Sequence, residues 1–197
     1  MATMLDMVGS IVIFGILAVT IARVQVNIQN AMYENSASLI AQSNATQLAR
    51  QLEFDLTKIG YGVPSGQPKI LNADTAEISF KADLQNNKTL HTVQYTTGTV
   101  SEATATINPT DFPLKRIDDN GEIVQQWGLV RFRFWYYDSI HTMITTPVTT
   151  ASELARIYSI NTLFVVEARE PGSITVDTTY YSITWEKLTY PRNLRSF

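Results

Sequence analysis

The segment from Met7 to Ala22, MVGSIVIFGILAVTIA, is unusual in this 197-residue chain because it is long, apolar and without a charge. Asp6 is the only ionisable side chain between Met1 and Ala22. A helix rises 1.5 Å per residue, so about 20 residues cross a hydrocarbon core of about 30 Å. The segment from Ala2 to Ala22 is therefore long enough to cross a membrane as a helix.

Two ordinary explanations of such a segment have to be weighed. A cleaved secretory signal peptide predicts Lys or Arg before the apolar run and a small-residue cleavage site after it, and the sequence shows neither pattern. A simple membrane anchor fits the composition and is favoured on composition alone. The residues that follow, RVQVNIQN at 23–30, are polar but still free of Pro and Gly.

The helical pattern continues far beyond the apolar segment. No Gly or Pro occurs between Gly15 and Gly60, so nothing there breaks a helix. The later part is amphipathic, with apolar residues at intervals of three and four. One face holds Ala45, Leu48, Ala49, Leu52, Leu56 and Ile59, and the other holds Arg50, Gln51, Glu53, Asp55 and Lys58. Gly60, Gly62 and Pro64 give a stop, so residues 3–59 are predicted to form one helix about 80 Å long.

After Pro68 the pattern changes to the alternation that is typical of strands. Strands are predicted at 76–82, 89–96, 114–117, 122–126, 129–137, 157–168 and 180–188, with turns at 85–88 and 118–121. In the strongest strand, 129–137, one face is expected to hold Val130, Phe132, Phe134 and Tyr136, and the other Arg131, Arg133 and Trp135.

Together these elements predict an α+β fold, a pilin-like roll in which an antiparallel sheet wraps the C-terminal half of a long helical spine. The N-terminal half of the spine is expected to protrude. Three segments follow: an apolar membrane or filament-core helix (1–23), its amphipathic continuation (24–59) and a β-rich globular domain (60–197). The core between helix and sheet is expected to contain Leu48, Leu52, Leu56, Phe132 and Phe134.

Composition excludes several classes of function. Fifteen Lys and Arg against 18 Asp and Glu give a net charge of −3, which provides no basic field to hold nucleic acid. Without cysteine there is no disulfide framework or thiolate metal site. No nucleotide-binding or hydrolase motif occurs, and His91 and His141 lack a second ligand at metal spacing. We predict no enzymatic activity, catalytic residue, cofactor or metal site.

Three local patterns each leave an alternative. The segment Asp118–Glu122, DDNGE, is interpreted as a hairpin turn, with a calcium loop as the alternative. The aromatic residues of 132–137 are expected to pack the sheet on the helix rather than to form a stacking platform for a ligand. Sequons start at Asn44, inside the predicted helix, and at Asn87, and they leave glycosylation open.

Several motifs resemble those of the type IV pilin and pseudopilin family. Residues 14–18, FGILA, match the Gly-Ile-Leu-Ala step of that family, and the same register places Asp6 at its acidic position, where Glu is usual, and Ala2 at its mature first residue. Residues 50–62, RQLEFDLTKIGYG, resemble the stretch that closes the helix in larger minor pilins and pseudopilins. Residues 191–194, PRNL, resemble the end of the same branch.

The chain departs from the family at two points. The short basic leader of the family does not precede Ala2, so the numbering starts either on a mature chain whose first residue is Met1 or on a shortened start. No Pro occurs before Pro64, so any local unwinding of the spine would have to use Gly9 or Gly15.

The resemblance implies a structural subunit in a type IV pilus-like filament or a type II secretion pseudopilus. It favours the minor-pilin branch, with a methylated N-terminus, and leaves a major subunit as the close alternative. The residues it implies for assembly are Asp6, Ala2, Phe14, Gly15, Ile16 and Leu17. The implied partners are copies of the chain or other pilins, the membrane before assembly, a prepilin peptidase and an assembly platform. The implied location is the inner, cytoplasmic membrane for the precursor and an extracellular or periplasmic filament afterwards.

A role for Asp6 also follows from physical chemistry. A carboxylate near the centre of a bilayer costs about 2.5 to 3.5 kcal/mol on insertion scales, and less near the edge, so it needs a partner. In a bundle of such helices, Asp6 of one copy can neutralise the N-terminal amine of its neighbour and fix their axial register. The alternative is an interfacial Asp6 that faces lipid headgroups.

A second class of function remains open at this point. The chain is also compatible with a membrane-tethered extracellular binding or adhesin module that has a pilin-like fold. Its contact surface would be the Thr-rich segment Thr142–Ser152.

Overall fold

The computed structural model describes residues 2–106, 108–169 and 180–194. Helix α1 spans Ala2–Thr57 and is followed by strands β1 (Ile70–Ala73), β2 (Glu77–Ala82), β3 (His91–Thr97), β4 (Phe112–Asp118), β5 (Gly121–Tyr137) and β6 (Met143–Ile144). The short helix α2 (Ala151–Leu154) then leads to β7 (Ser159–Arg169) and β8 (Tyr180–Thr189). Short 3₁₀ turns lie at Val100–Glu102 and Arg192–Leu194.

Helix α1 is a single uninterrupted helix, as its lack of Gly and Pro after Gly15 predicts. The regular helix ends at Thr57, two residues earlier than expected. The amides of Lys58 and Ile59 already bond to the carbonyls three residues before them, at 3.2 and 3.3 Å. Gly60 then adopts a left-handed φ of 77°, and its amide donates to the carbonyl of Lys81 at 2.9 Å. The glycine therefore turns the chain from the helix onto the sheet.

The strands form one antiparallel sheet in the order β1-β2-β3-β4-β5-β7-β8, with β6 paired to β5 off this path. Neighbours in sequence are neighbours in the sheet, apart from the step from β5 to β7. The predicted α+β class, a long N-terminal helix packed on a curled antiparallel sheet, is confirmed, and the architecture is consistent with a pilin-like fold.

One face of the sheet packs on the C-terminal part of α1. The helix contributes Leu48, Leu52 and Leu56 to the core, and the turn that follows it contributes Ile59; all four are fully buried. Phe132 and Phe134 from β5 lie in the same core, where their rings meet edge to face at 4.8 Å.

The structure corrects the prediction for 122–137 in two ways. The two strands predicted there form one strand, β5, 17 residues long. A bulge between Leu129 and Arg131 in the pairing with β7 shifts the alternation. As a result Leu129, rather than Val130, is buried beside Phe132. A further strand, β1, had not been predicted, because its four residues are too few to show an alternating pattern.

Candidate assembly helix

The first part of α1 is an isolated apolar rod. Between Met4 and Met32 every large apolar side chain is more than half exposed, and Phe14, Ile16 and Leu17 are 74%, 62% and 54% exposed. Soluble monomers rarely expose a contiguous apolar patch of more than a few hundred Å². By length and composition this helix can cross a membrane. Burial of such an apolar surface, in lipid or against another protein chain, is favourable compared with its exposure to water.

The carboxylate of Asp6 lies within this rod. Asp6 is exposed, and it takes part in no ion pair among the residues that the structure describes. Its backbone carbonyl accepts a hydrogen bond from the Ser10 hydroxyl at 2.8 Å. Ala2 begins the helix, about one turn before Asp6. If the rod is surrounded by apolar groups, no side chain in the described part of the chain neutralises the charge of Asp6.

Two glycines lie in the same rod. A Cβ placed on Gly9 or on Gly15 would meet no atom within 4 Å. Glycine in a helix interior costs about 1 kcal/mol relative to alanine, so the folded chain by itself has no use for glycine at either position. Small residues in apolar helices let a second helix approach closely.

The surroundings of α1 change at Ala37. All described side chains before it are exposed, whereas Ala37 and Ala41 are fully buried. We call residues 2–36 the exposed half of α1 and residues 37–57 the sheet-packed half. The change occurs within one uninterrupted helix, so the two halves are held to one axis.

A buried polar network fastens the sheet-packed half to the sheet, and it corrects a prediction. Asp55 was expected on the solvent face, but it is 3% exposed. Its Oδ2 accepts hydrogen bonds from the Tyr95 hydroxyl at 2.6 Å and from Arg116 Nε at 2.9 Å. Arg116 also donates to Asp118 at 2.5 Å. The carboxylate is stable here because both partners project from the strands that cover this side of the helix.

Two glutamines extend the same network toward its edge. Gln51 donates to the Tyr95 hydroxyl at 3.2 Å and accepts a hydrogen bond from Gln125 at 2.7 Å. Residues on α1, β3, β4 and β5 are therefore linked in one chain of hydrogen bonds, which fixes the position of the helix over the sheet.

The network shifts the pKa of several of its members. Burial raises the pKa of Tyr95 well above its usual value, and the neighbouring Asp55 charge adds to the rise. Burial alone would raise the pKa of Asp118, but the hydrogen bonds from Arg116 and the Asn120 amide outweigh it and lower that pKa. Burial opposes the charge on Arg116, yet its bonds to Asp55 raise the pKa above its ordinary value. The ionised forms of Asp118 and Arg116 are thus favoured in the folded chain.

The predicted contact segment Thr142–Ser152 contains β6 and the start of α2. It borders a cavity of about 440 Å³, whose lining includes Thr149, Ala151 and Leu154 together with Lys69, Ile70 and Leu194. The Lys69 ammonium donates to the backbone carbonyl of Asn193 beside it. The cavity is large enough for a small ligand or a peptide side chain.

The segment Asp118–Glu122 and the two histidines make local structural contacts. Asp118–Glu122 forms the hairpin turn between β4 and β5, where Asp118 Oδ1 accepts the Asn120 amide at 2.8 Å. His91 Nδ1 lies 3.1 Å from Asp119, and the His141 ring stacks on Tyr137 at 4.8 Å. Among the described residues, no group of three or more His, Asp or Glu side chains is placed to hold a metal ion.

Sequence reasoning missed the network around Asp55. Helix periodicity places Asp55 beside Leu52 and Leu56, at the edge of the apolar stripe, so its burial had a signal in the sequence. No sequence pattern indicated that Arg116 and Tyr95 contact Asp55, because their approach depends on the strand order.

Neither the models of known protein families nor the curated proteins compared with the chain match it.

Proposed function

We propose that this chain is a structural subunit of a helical filament, of the type IV pilus or secretion pseudopilus kind, that assembles through the exposed half of α1. Before assembly the apolar segment is embedded in a membrane, and in the filament it packs against the same segment of other copies or of similar subunits. An apolar helix is stable both in a membrane and in a bundle of similar helices, because lipid tails and apolar side chains have similar polarity.

The observation that carries this proposal is the change at Ala37. A simple membrane tether needs about 20 apolar residues, but the exposed helix extends to Ser36 and continues without interruption into the sheet-packed half. Such a rod holds the globular domain at a fixed distance and orientation from the apolar segment. A fixed geometry is what repeated packing of identical subunits requires.

The residues that carry the assembly in this proposal are Asp6, Ala2, Phe14, Gly15, Ile16 and Leu17, as the resemblance implies. Their arrangement supports it: the charge of Asp6 has no described partner, Gly15 lies in open space, and the apolar residues are exposed. In an assembly, the N-terminal amine of a neighbour would neutralise Asp6, and neighbouring helices would cover the rest.

A second candidate function is supported by the cavity beside α2. A membrane-tethered binding module would use the cavity of about 440 Å³ that borders Thr142–Ser152. Deletion of Thr142–Ser152 distinguishes the two candidates. Intact filaments together with a loss of adhesion or secretion would favour the binding module.

Replacement of Asp6 by Ala tests the proposed function. We expect the variant to insert into membranes normally but to be absent from sheared, sedimented filaments. Asp6→Glu should restore incorporation, and Asp119→Ala, which removes an exposed carboxylate in the sheet domain, serves as the matched control. Normal filaments formed by the Asp6→Ala protein would contradict the proposed role of Asp6.

A further inference from the structure

The exposed half of α1 contains very few charges. Between Thr3 and Ala49 the only charged side chains are Asp6, Arg23 and Glu34. The residues around the last two are carboxamides, hydroxyls and apolar groups. Arg23 and Glu34 are both exposed, and neither takes part in an ion pair among the described residues.

These two charges lie on the same face of the helix. They are eleven residues apart, about three helical turns, and are separated by about 16 Å along the axis. This distance is too great for a contact within one helix, where partners are three or four residues apart. Asn27 and Asn30 lie between them on that face. We call the four residues Arg23, Asn27, Asn30 and Glu34 the Arg23–Glu34 stripe.

The Arg23–Glu34 stripe continues the face of α1 that packs on the sheet. Ala41 follows Arg23 by 18 residues, or five helical turns, and therefore projects from the same side. Ala41 is fully buried, whereas every residue of the stripe is exposed. This face is thus buried from Ala37 onward, and the stripe, which precedes Ala37, is uncovered.

We propose that the occupant of this face is a second copy of the chain, parallel to the first and shifted by about eleven residues, so that Arg23 of one copy pairs with Glu34 of the next. The copy whose N-terminal amine neutralises Asp6 is a different neighbour in the filament, shifted by about five residues. This inference rests on the proposed function, because insertion into one membrane gives all copies the same direction. Parallel copies without a shift would place Arg23 beside Arg23 and Glu34 beside Glu34, which is repulsive. A shift of eleven residues replaces both repulsions by an attraction.

This pairing has a consequence for the symmetry of assembly. Each copy offers Arg23 to one neighbour and Glu34 to another, so the contact is heterologous rather than two-fold. A heterologous contact with an axial shift continues without closing and generates a filament. The pair therefore selects a shifted, open-ended arrangement over a closed parallel bundle.

Cross-linking tests the shift directly, because the chain contains no cysteine of its own. Arg23→Cys and Glu34→Cys chains are expressed together, and filaments are treated with a short bismaleimide. We expect a dimer that contains one chain of each kind, and much less product when either variant is expressed alone. Dominant homotypic products at both positions would overturn the shifted arrangement.

The amount of sedimented filament is measured on the same samples. Filaments that form without the mixed product would overturn the Arg23–Glu34 pairing and leave the proposed function standing. Failure of the unmodified chain to form any filament would overturn both.

Charge reversal provides a second, independent readout. Arg23→Glu and Glu34→Arg should each reduce the filament fraction roughly three- to tenfold, as expected for exposed ion pairs repeated at every contact, and the double reversal should restore it. Arg50→Glu, an exposed charge in the sheet-packed half, is the matched control. If Arg23 instead faced anionic headgroups, only Arg23→Glu would act and the double reversal would not rescue, which would overturn the pairing.

Discussion

The two halves of α1 differ in what surrounds them, although they belong to one helix. In the sheet-packed half, Leu48, Leu52 and Leu56 are fully buried against strands of the same chain. In the exposed half, Leu17 and its large apolar neighbours up to Met32 are more than half exposed. One half therefore stabilises the fold, whereas the other half contributes little to it and provides a surface for lipid or other chains. Substitutions in the two halves should affect different measurements.

The largest effect on folding is expected at Asp55. Asp55→Ala leaves Arg116 and the Tyr95 hydroxyl without their partner in a buried site, so the free energy of unfolding should fall by about 3 to 5 kcal/mol. A denaturant titration in detergent, in which the spectroscopic signal of the β-sheet is monitored, measures the free energy of unfolding. The control is Glu53→Ala, which removes an exposed pair with Lys187 and should cost at most about 1 kcal/mol. Equal losses for both variants would refute the importance of the network.

A leucine in each half gives the next comparison. Leu52→Ala removes a fully buried side chain from the core and should lower the free energy of unfolding by about 2 to 5 kcal/mol. Leu17→Ala, at a position that is 54% exposed, should leave the unfolding of the sheet domain unchanged. The same titration in detergent compares the two. A similar destabilisation by Leu17→Ala would mean that the exposed half contributes to the fold.

Glycines also distinguish the two ends of the helix. Gly60→Ala forces a side chain into a left-handed conformation, with its Cβ 2.8 Å from Lys69 Cδ, and should cost about 1 to 2 kcal/mol. Gly15→Ala meets no atom within 4 Å and should not destabilise the monomer. Thermal unfolding of the two variants measures the difference. A destabilised Gly15→Ala monomer would reveal a contact within the chain.

The smallest effect is expected from acid. The pKa of Asp118 is lowered in the folded chain, so its stabilisation is present above the unfolded pKa near 4 and is lost as the pH falls through the lower, folded pKa. The free energy of unfolding is measured by urea titration between about pH 7 and about pH 3, a range that includes the unfolded pKa. It should fall less with decreasing pH for Asp118→Asn than for the unmodified chain. Asp119→Asn is the control, because its carboxylate is half exposed. Parallel pH curves for all three proteins would contradict this.

The sequence predicted the helix and the sheet because their signals are local. The lack of Pro and Gly after Gly15 predicted an unbroken helix, and the spacing of Leu48, Leu52 and Leu56 predicted its packed face. Within the exposed half, the apolar run 7–22 was predicted from composition alone, since a run without charges needs no structural context to be identified as apolar.

The remaining features depend on contacts that periodicity does not encode. The bulge at Leu129 moves the buried position from Val130, and it is visible only in the pairing with β7. Asp55 was expected in solvent because it is charged, although it lies at the edge of the apolar face of the helix. In the structure, strand pairing brings Arg116 and Tyr95 to Asp55, and their hydrogen bonds stabilise its charge. Arg23 and Glu34 take part in no ion pair among the described residues, and the point at which the helix becomes buried, Ala37, is likewise not encoded by periodicity.

Photo-cross-linking from position 17 tests the central claim most directly. A photoreactive residue replaces Leu17, the protein is expressed in its own membrane, and the products formed under light are identified. The proposed function predicts products that join position 17 to residues 6–28 of another copy or of a similar subunit, and a shift of about eleven residues favours the two ends of that range. Products with lipid alone, under conditions in which filaments are present, would contradict the claim that the exposed half of α1 is the assembly element.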